Sequence, residues 1–206
     1  AITATMIPDF DHNGVLPPHT GDPRVSTDMS PYPVAMLEVV ERFGISAERR
    51  VILAGLLQMR SDMRRAGVEG FQWLDGSFCQ DIEAQEARPP GDIDVVSYGR
   101  PPAGFVETNP PQAWLRATTA KPAYHVDHYL VNLNQRGEVL VESARYWTGL
   151  FSHTRMQVWK GMLRVELTAA DDDQAAIDAL SELSKNDGGT AAAVTPASTG
   201  PTGGAP

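Results

Sequence analysis

Leu74-Asp75-Gly76-Ser77-Phe78, followed by Gly91-Asp92-Ile93-Asp94-Val95-Val96, is the stretch on which the fold turns. Phe71-Gln72-Trp73-Leu74 is rich in strand-forming aromatics and predicts a short strand that runs into Asp75-Gly76-Ser77. Asp92 to Tyr98 predicts a second strand, closed by Gly99 and by the turn-forming Pro101-Pro102. Residues two apart on a strand point to the same face, so Asp92 and Asp94 would present their carboxylates side by side. Two such groups repel unless a positive charge lies between them. A hard divalent cation, Mg²⁺ or Mn²⁺, held by carboxylate and phosphate oxygens is the natural occupant. Gly76 and Ser77 stand where a strand ends, and there free backbone N–H groups and a small hydroxyl can approach phosphate oxygens closely. Phosphates on one side and metal ligands on the other describe a nucleoside triphosphate site, with ATP the default nucleotide.

Reading outward, Tyr124 to Leu133 predicts a third strand and Gly161 to Leu167 a fourth. Asp127 falls in the middle of the third, where a charge is out of place in a sheet without a partner. It is the candidate third carboxylate of a two-metal arrangement, in which one ion activates an attacking hydroxyl and the other stabilises the triphosphate. Met36, Leu37, Val40 and Phe43 predict a short helix stopped by Gly44, and Ser46 is a candidate N-cap for a second that runs to Ala66-Gly67. Arg60, Arg64 and Arg65 are expected on its outer face. Further helical patterns lie around 112–119, 138–151 and 171–183. Strands alternating with helices predict an α/β (α+β) domain, a small mixed sheet flanked by helices. We expect an extended Pro- and Gly-rich arm over 1–33, the domain over 34–184, and a disordered Gly/Ala/Thr/Pro-rich tail over 185–206.

The order of strand and Gly-Ser turn, then Asp-x-Asp, then a single Asp on a later strand, resembles the nucleotidyltransferase superfamily of the DNA polymerase β type. With Ile7-Pro8, Gly14-Val15-Leu16-Pro17-Pro18, Tyr146-Trp147-Thr148-Gly149-Leu150-Phe151 and Lys160-Gly161, the chain resembles an uncharacterised bacterial family of nucleotidyltransferase-like proteins over roughly 7–167. The resemblance implies that Gly76 and Ser77 contact the triphosphate, that Asp92 and Asp94 hold both metals, and that Asp127 holds the catalytic one. Lys160 is a candidate nucleotide-binding cation, because a point charge can neutralise triphosphate oxygens. The expected activity is Mg²⁺-dependent transfer of a nucleoside monophosphate from an NTP to a hydroxyl of a protein, an RNA or a small molecule. Asp75 and His128 depart from the superfamily pattern, which places apolar residues there. They favour the alternative, a catalytically silent protein of this fold that binds a small helical partner within a toxin–antitoxin or phage-defence pair.

Composition sets the outer bounds. The chain has 206 residues, 42% of them hydrophobic, enough for one domain with a core of its own. Its formal charge of −9 and the lack of a basic run disfavour duplex DNA as a partner. One cysteine, Cys79, and no apolar tract long enough to span a bilayer make a reducing cytoplasm the default expectation. Cys79 reads as a buried thiol beside the site. His125 and His128 stand three apart on a strand, which turns them to opposite faces and rules out a shared metal. Trp114, Trp147 and Trp159 read as packing residues. Walker-type and Gly-x-Gly-x-x-Gly fingerprints are missing, so P-loop and dinucleotide-binding readings lose their main support.

Overall fold

The computed structural model describes residues 7–108 and 110–190, with side chains described through 185. Five strands form one mixed sheet: β1 (Tyr32–Pro33), β2 (Glu69–Asp75), β3 (Ile93–Arg100), β4 (Val126–Asn132) and β5 (Leu163–Glu166). Their spatial order is β1-β5-β2-β3-β4, with β2 antiparallel to both neighbours and the outer pairs parallel. Six helices accompany them: α1 (Met36–Phe43), α2 (Ala47–Arg65), α3 (Ile82–Glu86), α4 (Ala117–Tyr124), α5 (Gly137–Phe151) and α6 (Ala170–Thr190). The α/β class expected from the alternation of periods is the one observed.

Strand alternation divides the core in two. Ile93 and Val95 of β3 face a large cluster with Leu53, Leu56, Met59 and Met63 of α2, Val40 and Phe43 of α1, and Ala176 and Leu180 of α6. Val96 and Tyr98 face the other side, where Phe71, Trp73, Val131 and Met162 pack with Trp147 and Phe151 of α5. The sheet is therefore covered on both faces, and Asp94, two before Val96, belongs to the α5 face.

Local signals explain most helix ends. The Ser46 side chain accepts a hydrogen bond from the Arg49 backbone N–H, as its N-cap position predicts. Helix α4 lies against α2 where Gly55 has no side chain, since a Cβ there would be 1.9 Å from the Tyr124 carbonyl oxygen. Tyr124 closes α4 rather than opening a strand, and β4 begins only after His125, which takes a left-handed conformation at φ 57°. The arm over 7–31 contains one 3₁₀ turn at Ser26–Asp28 and packs onto the body through Val15 and Leu16, both buried.

Two expectations need correction. Arg60 does not project outward: it is fully buried, and its guanidinium binds the buried carboxylate of Asp173 on α6 at 2.7 Å. Arg64 reaches the same carboxylate, which leaves Arg65 as the outward-facing member of the trio, paired with Asp62. Trp114 and Trp147 are core residues as expected, whereas Trp159 is 60% exposed. Helix α6 runs from Ala170 to Thr190, and positions 191–206, most of the expected tail, lie outside the described residues. No helix among the described residues is long and apolar enough to cross a membrane.

Candidate functional site

Three aspartates share one row of the sheet. Asp75 ends β2 and pairs in register with Asp94 of β3, which pairs in turn with Asp127 of β4. Because register partners point to one face, all three carboxyl groups belong to the α5 side, at the end of the sheet where β2 finishes and β3 and β4 begin. Asp92 precedes β3 by one residue. Asp92, Asp94 and Asp127 then line a cleft of about 1000 Å³, together with Gly76, Ser77, Lys121 and Lys160. Residues of the segment 149–158, from the end of α5 into the following loop, also line it.

Gly76 makes the turn possible. Its φ of 82° and ψ of −168° belong to a region essentially reserved for glycine. A Cβ there would also stand 1.9 Å from Oδ2 of Asp94. The turn thus passes directly over the Asp94 carboxylate before a 3₁₀ turn carries Ser77–Cys79 away.

Asp75 and His128 each have partners inside the protein. Asp75 is buried against the equally buried ammonium of Lys160, which donates to its Oδ1. Burial pushes the Asp75 carboxyl up to about 7, against the pull of Lys160 and a hydrogen bond from the Gly76 backbone. Lys160 is thereby committed to a protein carboxylate rather than open to a nucleotide, although it borders the cleft. His128 faces away from the cleft, as alternation with Asp127 requires, and is buried. Its Nδ1 lies 2.5 Å from the Trp114 carbonyl and its Nε2 lies 2.7 Å from Ser97 Oγ. A carbonyl can only accept, so Nδ1 carries the proton and Nε2 accepts from Ser97. Gln72 donates to Ser97 and accepts from Arg60, giving one directional chain from Arg60 through Gln72 and Ser97 to His128. Desolvation holds His128 down to about 4, in its neutral form. It is a core histidine and not a ligand.

Asp94 is the electrostatic focus of the cleft. Burial pushes its carboxyl up to about 6, and the nearby Asp92 and Asp127 push the same way. Among the described residues, no three His, Cys, Asp or Glu side chains are gathered into a ready-made chelate. Asp92 instead forms an ion pair with Lys121 of α4. The donor set nevertheless fits Mg²⁺, which binds through one or two carboxylates and completes its shell with water and substrate phosphates. Asp94 and Asp127, adjacent across parallel strands, supply that minimum, and Asp92 stands beside them.

Sequence reading missed Lys121, Arg155 and Asn13 as cleft residues. Lys121 lies in an Ala- and Thr-rich stretch before Pro122, with no periodicity that marks it, and only the turn from α4 into β4 brings it over Asp92. Cys79 is buried as expected and its thiol is pushed upward by desolvation, so it is inert as a nucleophile. A second, shallower depression of about 460 Å³ is formed by α5 alone, around Val139, Tyr146 and Trp147.

Comparison with known proteins adds a family without an assigned activity. No curated protein and no solved structure matches the chain. Residues 8–166 match a family of unknown function (DUF6932), and the chain belongs to that family.

Proposed function

We propose that this protein is a nucleotidyltransferase-like enzyme that takes a nucleoside triphosphate, ATP by default, with Mg²⁺ or Mn²⁺ and passes the nucleoside monophosphate to a hydroxyl, releasing pyrophosphate. The observation that carries the reading is the register row Asp94–Asp127, crossed by the Gly76 turn at the mouth of a cleft large enough for a nucleotide and part of an acceptor. A divalent cation, when bound, would supply charge neutralisation at the phosphates and a lowered pKa for an attacking hydroxyl. Asp94 and Asp127 hold it, with Asp92 as the third carboxylate. Gly76, whose own N–H is engaged by Asp75, lets the chain approach the polyphosphate closely, Ser77 offers its backbone N–H and hydroxyl, and Asp127 stands toward the acceptor hydroxyl. Catalysis of this kind is mainly positioning and electrostatic stabilisation.

The test is label transfer from each α-³²P-labelled NTP to protein, RNA and small hydroxyl acceptors, with and without Mg²⁺. Loss of transfer in Asp94→Asn and in Asp127→Asn is the expected result, and undiminished transfer in either variant removes the proposal.

A second reading is the silent partner-binding protein. It draws on the exposed apolar side chains of Tyr146, Leu150 and Met156, at 55%, 51% and 84% exposure, along the end of α5 and the loop beyond it. A nucleotide-independent complex with a small helical protein, abolished by Tyr146→Glu or Leu150→Glu, would favour it over the enzyme.

A further inference from the structure

The three lysines of this chain have different freedoms. Lys185 pairs with Glu182 on the outside of α6. Lys160 is 3% exposed and tied to Asp75, so it cannot leave without stranding a buried carboxylate. Lys121 is 56% exposed, lines the cleft, and pairs with Asp92, which is 19% exposed. Its backbone is fixed. The His125 N–H bonds to the Lys121 carbonyl, Gly55 holds the last turn of α4 against α2, and the Tyr124 hydroxyl donates to Asp62 at 2.7 Å. What can move is the four-carbon side chain, whose ammonium carries three donors and no fixed geometry.

The charges around it make that freedom meaningful. Lys121 meets Asp92 in an ion pair, and Asp94 and Asp127 stand in the same cleft lining. Arg88 borders the same cleft but is paired with Glu86. Lys121 is the exposed cation ion-paired to one of the three acids, whereas Lys160 acts on Asp94 from within its buried pair with Asp75. A divalent ion entering that cluster would meet a like charge already there.

We propose that Lys121 is a stand-in cation, which neutralises the Asp92, Asp94 and Asp127 cluster while the cleft is empty and swings to the polyphosphate when a divalent ion takes its place. The proposal rests on the reading of the cleft as a nucleotide site. Its consequence is a coupling of opposite signs: Lys121 opposes the metal alone and favours the polyphosphate once metal is bound. A lysine that merely braced α4 would do neither. Since Lys160 is spent on Asp75, Lys121 is also the lysine that can reach phosphate oxygens without breaking a buried pair.

The test uses the full chain with two simple probes, Mn²⁺ alone followed by the electron paramagnetic resonance of the free ion, and tripolyphosphate added at saturating Mn²⁺. Lys121→Met is expected to bind Mn²⁺ alone about fivefold more tightly than wild type, because the competing charge is gone, and tripolyphosphate about tenfold more weakly, because a charge-assisted contact is lost. Lys121→Arg should stay near wild type for Mn²⁺. In an Asp92→Asn background the gain in Mn²⁺ affinity from Lys121→Met should shrink, since the pair no longer exists. Equal Mn²⁺ affinity in wild type and Lys121→Met, or unchanged tripolyphosphate affinity, overturns the role of Lys121 while leaving the metal site in place. If neither wild type nor Lys121→Met binds Mn²⁺, the nucleotide-site reading fails and this proposal falls with it.

Discussion

Gly76 and Asp94 are packed so closely that a Cβ on the glycine would stand 1.9 Å from the aspartate's Oδ2. The turn and the Asp94 carboxylate are one unit, built by β2 ending where β3 begins. Gly76→Ala must both abandon a backbone region reserved for glycine and displace Asp94. We expect it to cost about 2–4 kcal/mol of stability and to abolish any effect of Mg²⁺ and nucleotide on unfolding, with urea denaturation as the measurement. A fully stable Gly76→Ala that keeps its ligand response would contradict this geometry.

Asp75 and Lys160 make a buried pair whose halves cannot be removed singly without penalty. Lys160→Met should destabilise the protein by about 3–5 kcal/mol, because a desolvated carboxylate is left behind. The double variant Asp75→Asn/Lys160→Met should recover a large part of that loss. Additive losses in the double-mutant cycle would mean that the two side chains act independently.

The pH dependence separates two buried groups of opposite sign. Asp94 has a folded-state pKa raised to about 6, so its contribution to stability is fully present below the ordinary value near 4 and is lost as pH rises through 6. Removing the charge should therefore help at high pH. The midpoint of thermal unfolding of Asp94→Asn relative to wild type, without metal, is expected to climb between about pH 4 and about pH 6.5 and to level off above. His128 runs the other way: its folded pKa is lowered to about 4, so its contribution is present above the ordinary value near 6.5 and is lost as pH falls toward 4. A flat difference between Asp94→Asn and wild type across this range would show that Asp94 is not under electrostatic pressure.

Arg60 and Asp173 show where sequence reading stops. Helices α1 and α2 were legible because their apolar residues recur at helical spacing and Gly44, Ser46 and Gly67 punctuate them. The strands of Asp94 and Asp127 were legible through alternation. Arg60 was illegible, since its partners Gln72 and Asp173 lie 12 and 113 positions away and a buried arginine carries no periodic signature. Lys121 and the pairing of Lys160 with Asp75 were hidden for the same reason, because ion pairs across elements are set by tertiary register. Asp173→Ala should strand the Arg60 guanidinium in the core at a cost of about 3–5 kcal/mol. Hydrogen exchange should then report loss of protection in α6 first, and unchanged protection there would refute this anchoring role.

The central claim is a metal-dependent nucleotide site at Asp94 and Asp127. Its most direct test is thermal unfolding of the wild type and of Asp94→Asn with ATP, CTP, GTP and UTP in turn, each with and without Mg²⁺. A ligand that binds only the folded state raises its apparent stability by mass action. The account predicts that at least one nucleotide raises the midpoint of the wild type only when Mg²⁺ is present, and that Asp94→Asn loses the rise. A midpoint unmoved by every nucleotide with Mg²⁺, or a rise that Asp94→Asn retains in full, would contradict it.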